Sequence, residues 1–322
     1  MRLLVKVLRS VPLAIQVALL LPILAWLIGR ILTDRFLWSQ WCWWMPTVLA
    51  IGLAACAAFI AAMPFPPRRG RATRCVFWIV LTLGLLGYRT EWEQRGPILH
   101  DPITATDGFE LVHWTCTMSA PHLRATHAAW ATTFTGDAAI LMHSGGLFLD
   151  PAMDDVRANG YRVYPVGLAT VITRHELVEH RTILRNGNFF GWTIHLRTAA
   201  DADDVVTIWL LDLPSNPRIH RWEIASRVRD MLDNANEPRP DLVIGDLNIT
   251  RGSASLQHLF PDYEHAYDQA GFGDSATFPR ERPVYHIDHV LIRAPWRAQR
   301  YDLHDPGHGR HRLQRVWLER SH

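Results

Sequence analysis

Apolar positions are laid out along this chain in two unlike ways. In the first part they run together. Val11 to Gly29 is nineteen residues without a charge, and Trp41 to Met63 is twenty-three. Each is long enough to cross a hydrocarbon core of about 30 Å as a helix. A third run, Cys75 to Tyr88, has fourteen charge-free residues, a length more usual for a core or interfacial helix. Arg74 and Arg89 bracket it and can snorkel outward, and Trp78 and Trp92 can sit at headgroup level.

From about residue 108 the pattern shortens and alternates. Gly108 to Met118, Asp137 to His143, Leu168 to Arg174, Gly191 to Thr198, Asp204 to Ser215, Asp241 to Asp246, His289 to Arg293 and Arg315 to Glu319 each predict a strand. Between them, Trp222, Ala225, Val228 and Leu232 fall on one face of a helix predicted over Ile219 to Asn234. Strands in pairs with helices inserted between them predict an α+β domain with mixed sheets packed on helices.

Charge divides the chain at the same place. Residues 1–100 carry eleven Lys and Arg against three Asp and Glu, whereas residues 101–322 carry 22 against 28 and contain no lysine. The basic clusters Arg2, Lys6, Arg9 and Arg68, Arg69, Arg71, Arg74 are separated by two of the apolar runs. The positive-inside rule places both on the cytoplasmic side. The expectation is a membrane anchor over residues 1–90 with three transmembrane helices at about 11–30, 42–63 and 74–90. A linker follows over 91–107, and then a folded domain over 108–322. A third span would make the protein a multi-pass plasma or inner membrane protein, with the bilayer as partner and the C-terminal domain extracytoplasmic. The four cysteines, Cys42, Cys56, Cys75 and Cys116, have neither zinc-knuckle spacing nor a disulfide framework.

The chemistry concentrates in a few short motifs. In the stretch from Pro240 to Gly252 an apolar run ends in Gly245-Asp246-Leu247-Asn248, which presents two polar side chains at a strand end. An Asx turn closing a strand accounts for such a pair by itself. Ile287-Asp288-His289 follows about forty residues later, and then Gly309-Arg310-His311. With these in order after "HWTCT", "LMHSG" and "LLDLPSNP", residues 108–320 resemble the endonuclease/exonuclease/phosphatase superfamily. The resemblance implies a four-layer α/β/β/α sandwich of two mixed sheets flanked by helices. It also implies cleavage of phosphoesters, usually with magnesium or manganese. Asp246 would orient or deprotonate a water and contact the metal. Asn248 would hydrogen-bond a phosphate oxygen. His311, held by Asp288, would donate a hydrogen bond or proton.

Four positions depart from the family pattern. Thr115 stands where the first strand usually ends in Asn. His143-Ser144 stands in place of Gln-Glu, whose Glu is the usual magnesium ligand. Asp212 replaces a catalytic His, and Arg310 replaces the Asp of a Ser-Asp-His motif. Thr115, Ser144, Asp212 and Arg310 are therefore expected to line the pocket as substrate-binding groups. Arg310 would supply fixed positive charge for a phosphate, and Asp137, Asp150 or Asp212 would supply the missing carboxylate. His289, His304 and His308 are expected on the surface or in loops.

An acidic, lysine-free domain is poorly suited to nucleic acid, whose binding draws on phosphate neutralisation by Lys and Arg. A small phosphorylated molecule or a lipid-linked phosphate is the favoured ligand. Two functions follow. One is a membrane-anchored phosphoesterase using metal-assisted water attack. The other is a catalytically degenerate domain that binds a phosphate group or a protein partner without needing a metal.

Overall fold

The computed structural model describes residues 18–62, isolated positions between 78 and 85, and residues 108–116, 121–198 and 205–320. The chain divides into two compact units. One comprises Met1–Glu93 with His220–Trp222, and the other comprises Gln94–Ile219 and Glu223–His322.

The first unit is helical where described, over residues 18–32, Leu37–Trp43 and Thr47–Ala62. The expected span over 42–63 is thereby divided. Pro46 has no N–H to donate, so one helix ends and another starts around it. The second of these is described over sixteen residues. Among the described residues no helix is long and apolar enough to cross a membrane, so the expected transmembrane helices are not seen there. Residues 11–17 of the first expected span and most of the third, 74–90, lie outside the described residues. Leu21, Leu24, Ile31, Val48 and Leu49 are exposed on these helices.

The second unit holds twelve described strands. A first sheet begins with β1 (Phe109–Thr115), β2 (Ala138–Met142), β3 (Arg162–Val166) and β4 (Ala169–Thr173). A second contains β5 (Glu176–Asn186), β6 (Phe189–Arg197), β7 (Val205–Asp212), β8 (Leu242–Asp246), β9 (Glu264–His265) and β10 (Asp288–Ile292). The chain then returns to the first sheet with β11 (Trp296–His304) and β12 (Leu313–Arg320). The strand orders are β11-β12-β1-β2-β4-β3 and β5-β6-β7-β8-β10-β9. Only β1/β2 and β7/β8 run parallel among the described pairs. Each of those connections contains a helix, Pro121–Thr132 and Arg221–Asn234 respectively, as a parallel crossover requires.

Burial follows from alternation on strands that are covered on both faces. Leu111, Ile140, Val171, Ile194, Ile208, Ile244 and Val290 meet between the two sheets. Their neighbours turn outward under helices. Val112, Ala139 and Ile172 form one outer core with Ala128, Met153 and Val156. Leu211, Val243 and Leu291 form the other with Ala225, Val228 and Leu232. The result is the expected layering of two mixed sheets flanked by helices.

Candidate active site

The period of two that builds the inner core also aims the polar residues. On β7, β8 and β10 the inward positions end at Asp212 and Asp246 and begin at Asp288. The register pairs Asp212 with Asp246 and Asp246 with Asp288. The three carboxylates therefore form a row across neighbouring strands, about 5 Å from one to the next. Gly245 is what lets β8 lie there. Its φ is +148°, and a Cβ would come within 1.8 Å of the Leu211 carbonyl oxygen on β7.

One end of the row is a closed network. Asp288 is fully buried. Its Oδ1 accepts from the Thr115 hydroxyl at 2.5 Å. Its Oδ2 accepts from the Thr277 hydroxyl at 2.6 Å and from His311 Nδ1 at 2.8 Å. Burial alone would raise the Asp288 pKa. The charge and hydrogen bond of His311, with His113 and Thr115, outweigh it and hold the carboxyl well below its ordinary range. Burial likewise disfavours a charged His311, yet Asp288 more than reverses this and its pKa is raised. With Nδ1 on Asp288, His311 keeps Nε2 for a ligand.

The other end is a second imidazole–carboxylate pair. His143 Nε2 lies 3.1 Å from Asp212 Oδ2. The two departures at these positions are thus a single exchange of partners. His143 follows directly on β2 in a left-handed conformation, φ +52°, uncommon outside Gly, Asn, Asp and His. The hydrogen bond to Asp212 raises its pKa against the opposing effect of burial, helped by the charges of Asp212 and Asp246.

Asp246 stands between the pairs with no cation of its own. Burial, then the negative charge of Asp288, push its pKa up to about 8, with Asp212 adding to the rise and His311 opposing it. Its Oδ1 accepts the Asn248 backbone N–H at 3.2 Å. Asn248 adopts φ +50°, which Asn tolerates. One amide hydrogen of its side chain goes to the Leu213 carbonyl at 3.0 Å, and an amide nitrogen carries two.

The remaining expected residues are placed otherwise. Ser144 is buried, and its hydroxyl pairs with that of Thr170 on β4 at 2.7 Å, so the left-handed turn brings His143 rather than Ser144 to Asp212. Arg310 is exposed, with its guanidinium carbon 5.3 Å from the Phe278 ring centroid. Its charge is felt at His311. Asp137 precedes β2 at the end of that strand remote from His143 and accepts the Glu110 N–H. Asp150 caps the backbone of Ala152. Of the three carboxylates considered as repairs, only Asp212 stands in the row. His289, expected at the surface or in a loop, is fully buried on β10. Thr277 was not anticipated, and its position eleven residues before Asp288 carries no motif.

Could this site hold a metal? Oxygen and nitrogen atoms of Asp246, Asp288 and His311 lie within 4.8 Å of one another. Asp288, however, already accepts three hydrogen bonds and His311 Nδ1 is engaged with it. Asp246 is the carboxylate left for a cation. One carboxylate, water and the oxygens of a phosphate make a set that suits magnesium or manganese. The site fits a cation that arrives with its phosphate.

A second cluster, His265, His286 and His289, is also buried within 4.8 Å. Hydrogen bonds fix the tautomers of His265 and His289. The Tyr267 N–H enters His265 Nδ1 at 3.0 Å. His265 Nε2 then carries the hydrogen that meets His289 Nδ1 at 3.0 Å, and His289 Nε2 donates to the Ile249 carbonyl at 2.7 Å. The Arg251 charge lies close enough to lower the pKa of all three, after burial. A dication is disfavoured where the acceptor nitrogens of His265 and His289 are both committed and a guanidinium is adjacent; these two form a structural chain, with the His286 ring packed against them.

No protein-family model matches the sequence, and no curated protein matches it. Solved structures do. The endonuclease/exonuclease/phosphatase from Bacteroides vulgatus aligns with a TM-score of 0.50 at 15% identity, over 67% of this chain and 100% of that one. A functionally unknown conserved protein from Enterococcus faecalis aligns with a TM-score of 0.50 at 10% identity, over 66% of this chain and 100% of that one. Over about two thirds of its length the chain thus shares its fold with a solved endonuclease/exonuclease/phosphatase.

Proposed function

We propose that this protein hydrolyses a small phosphoester, with Asp246 as the base. The observation that carries this reading is the placement of Asp246. A buried carboxylate with a pKa near 8 stands between two carboxylates that each hold an imidazole. A base matched to the working pH is what general-base catalysis needs, and perturbed groups gather where chemistry is done.

In this reading a phosphate lies over Asp246. His311 Nε2, held by Asp288, donates to a non-bridging oxygen. The second amide hydrogen of Asn248 meets another. Asp246 orients the attacking water and takes its proton. Magnesium or manganese bound with the substrate would neutralise phosphate charge and make the water more acidic. The acidic, lysine-free composition supports a small substrate over nucleic acid.

The test is hydrolysis of p-nitrophenyl phosphate and bis(p-nitrophenyl) phosphate by the purified full-length protein, with magnesium or manganese and with chelator. Turnover that the cation stimulates and Asp246→Asn abolishes is expected. Turnover unchanged by that substitution would exclude Asp246 as the base. Phosphate binding without turnover of either ester would support the degenerate binding domain instead.

A further inference from the structure

The reading above leaves the His143–Asp212 pair without a task. Three observations give it one. His143 Nε2 is held by Asp212, so Nδ1 is the nitrogen left for a ligand. Asp212 is the register neighbour of Asp246, which puts the pair beside the carboxylate that activates water. The His143 side chain is 23% exposed, against 8% for His311. A leaving group larger than the phosphoryl group must extend towards solvent, and of the two imidazoles His143 is the more exposed.

We propose that His143 is the proton donor to the leaving oxygen, with Asp212 as its positioning residue. This rests on the hydrolase reading. The water oxygen forms a bond to phosphorus and gives its proton to Asp246. The bond from phosphorus to the leaving oxygen breaks, and its electron pair stays on that oxygen. The oxygen takes the Nδ1 proton of His143, and the alcohol departs neutral. Asp246 then returns its proton to solvent and His143 regains one. No oxidant or further reactant is needed. The charged groups facing His143 are Asp212 from β7, Asp246 from β8 and His311 from the β11–β12 loop. Two of the three favour its protonated form.

The test compares esters that differ in their need for a proton. The full-length protein, His143→Asn and His143→Gln are assayed on phenyl phosphate and p-nitrophenyl phosphate. General-acid catalysis contributes about 10²- to 10⁴-fold. Loss of about 10²-fold or more in kcat is expected on phenyl phosphate, with under about tenfold on p-nitrophenyl phosphate, whose phenolate leaves readily unprotonated. KM is expected to change little, and the alkaline fall of the pH profile should flatten in both variants. Equal losses on the two esters, in both variants, would overturn the proposal. Absence of turnover of either ester by the parent protein would overturn the hydrolase reading and this inference with it.

Discussion

The two imidazole–carboxylate pairs flanking Asp246 are built to different standards. Asp288 is fully buried and accepts from Thr115, Thr277 and His311, which come from three separate segments. Among the described residues Asp212 has His143 as its one hydrogen-bonding side chain; Asp212 is buried and His143 half-buried. The first pair is fixed in one arrangement by its neighbours, as an electrostatic anchor must be. The second has room to adjust when a substrate enters. The difference teaches that the same chemical unit can be fixed by three partners at one end of a row and by a single partner at the other.

That contrast can be broken at either end. Asp288→Ala leaves two hydroxyls and an imidazole without their acceptor in a buried site. Removing one partner of a buried pair costs about 3–5 kcal/mol, so the variant should unfold at much lower denaturant concentration in urea titrations. His311→Asn is smaller and can still donate to Asp288, but it supplies nothing in place of Nε2. A loss in kcat of about 10²- to 10⁴-fold is expected, with a smaller stability change than Asp288→Ala in the same titrations. Asp212→Asn should lower kcat yet cost less stability than Asp288→Ala in the same titrations, since one hydrogen bond is weakened there rather than three lost. A large stability loss there would erase the distinction between the pairs. Ser144→Ala removes a hydroxyl that bonds Thr170 away from the row. It should cost about 1 kcal/mol and leave kcat within about twofold.

Charge gives a further handle. The folded pKa of Asp246 is raised to about 8 from 3.8. The folded state therefore holds this proton more tightly than the unfolded chain does. That stabilisation is complete below about pH 4 and is lost as pH rises through about 8. Asparagine never ionises, so Asp246→Asn should melt at a higher temperature than the parent, by a margin that widens from pH 5 to pH 8. For His143 and His311 the raised pKa values contribute stability that is full below about pH 6.5 and lost above it.

Much of this was legible in the chain and some was not. Core strands such as β8 and β10 are apolar because both faces are covered, so they stand out. β5 is eleven residues long but mostly exposed and rich in charge, so it carries no hydrophobic signal. The carboxylate row was half visible. Asp246 and Asp288 sit in recognisable motifs, whereas their registry with Asp212 is a property of strand pairing that no local sequence states. His143 was passed over for Ser144 because the serine stands at the place of the family's metal-binding Glu. The left-handed residue at the strand end reversed that choice. The transmembrane expectation rested on charge-free length, and Pro46 shows why length alone overstates a helix.

The central claim is that Asp246 is kept in a destabilising position because it activates water. The most direct measurement is the rate of p-nitrophenyl phosphate hydrolysis by full-length protein and by Asp246→Asn between pH 6 and pH 9, with magnesium present. The account predicts a variant slower than the parent by about 10³-fold or more at every pH. A variant that retains the parent's rate and pH profile would contradict it.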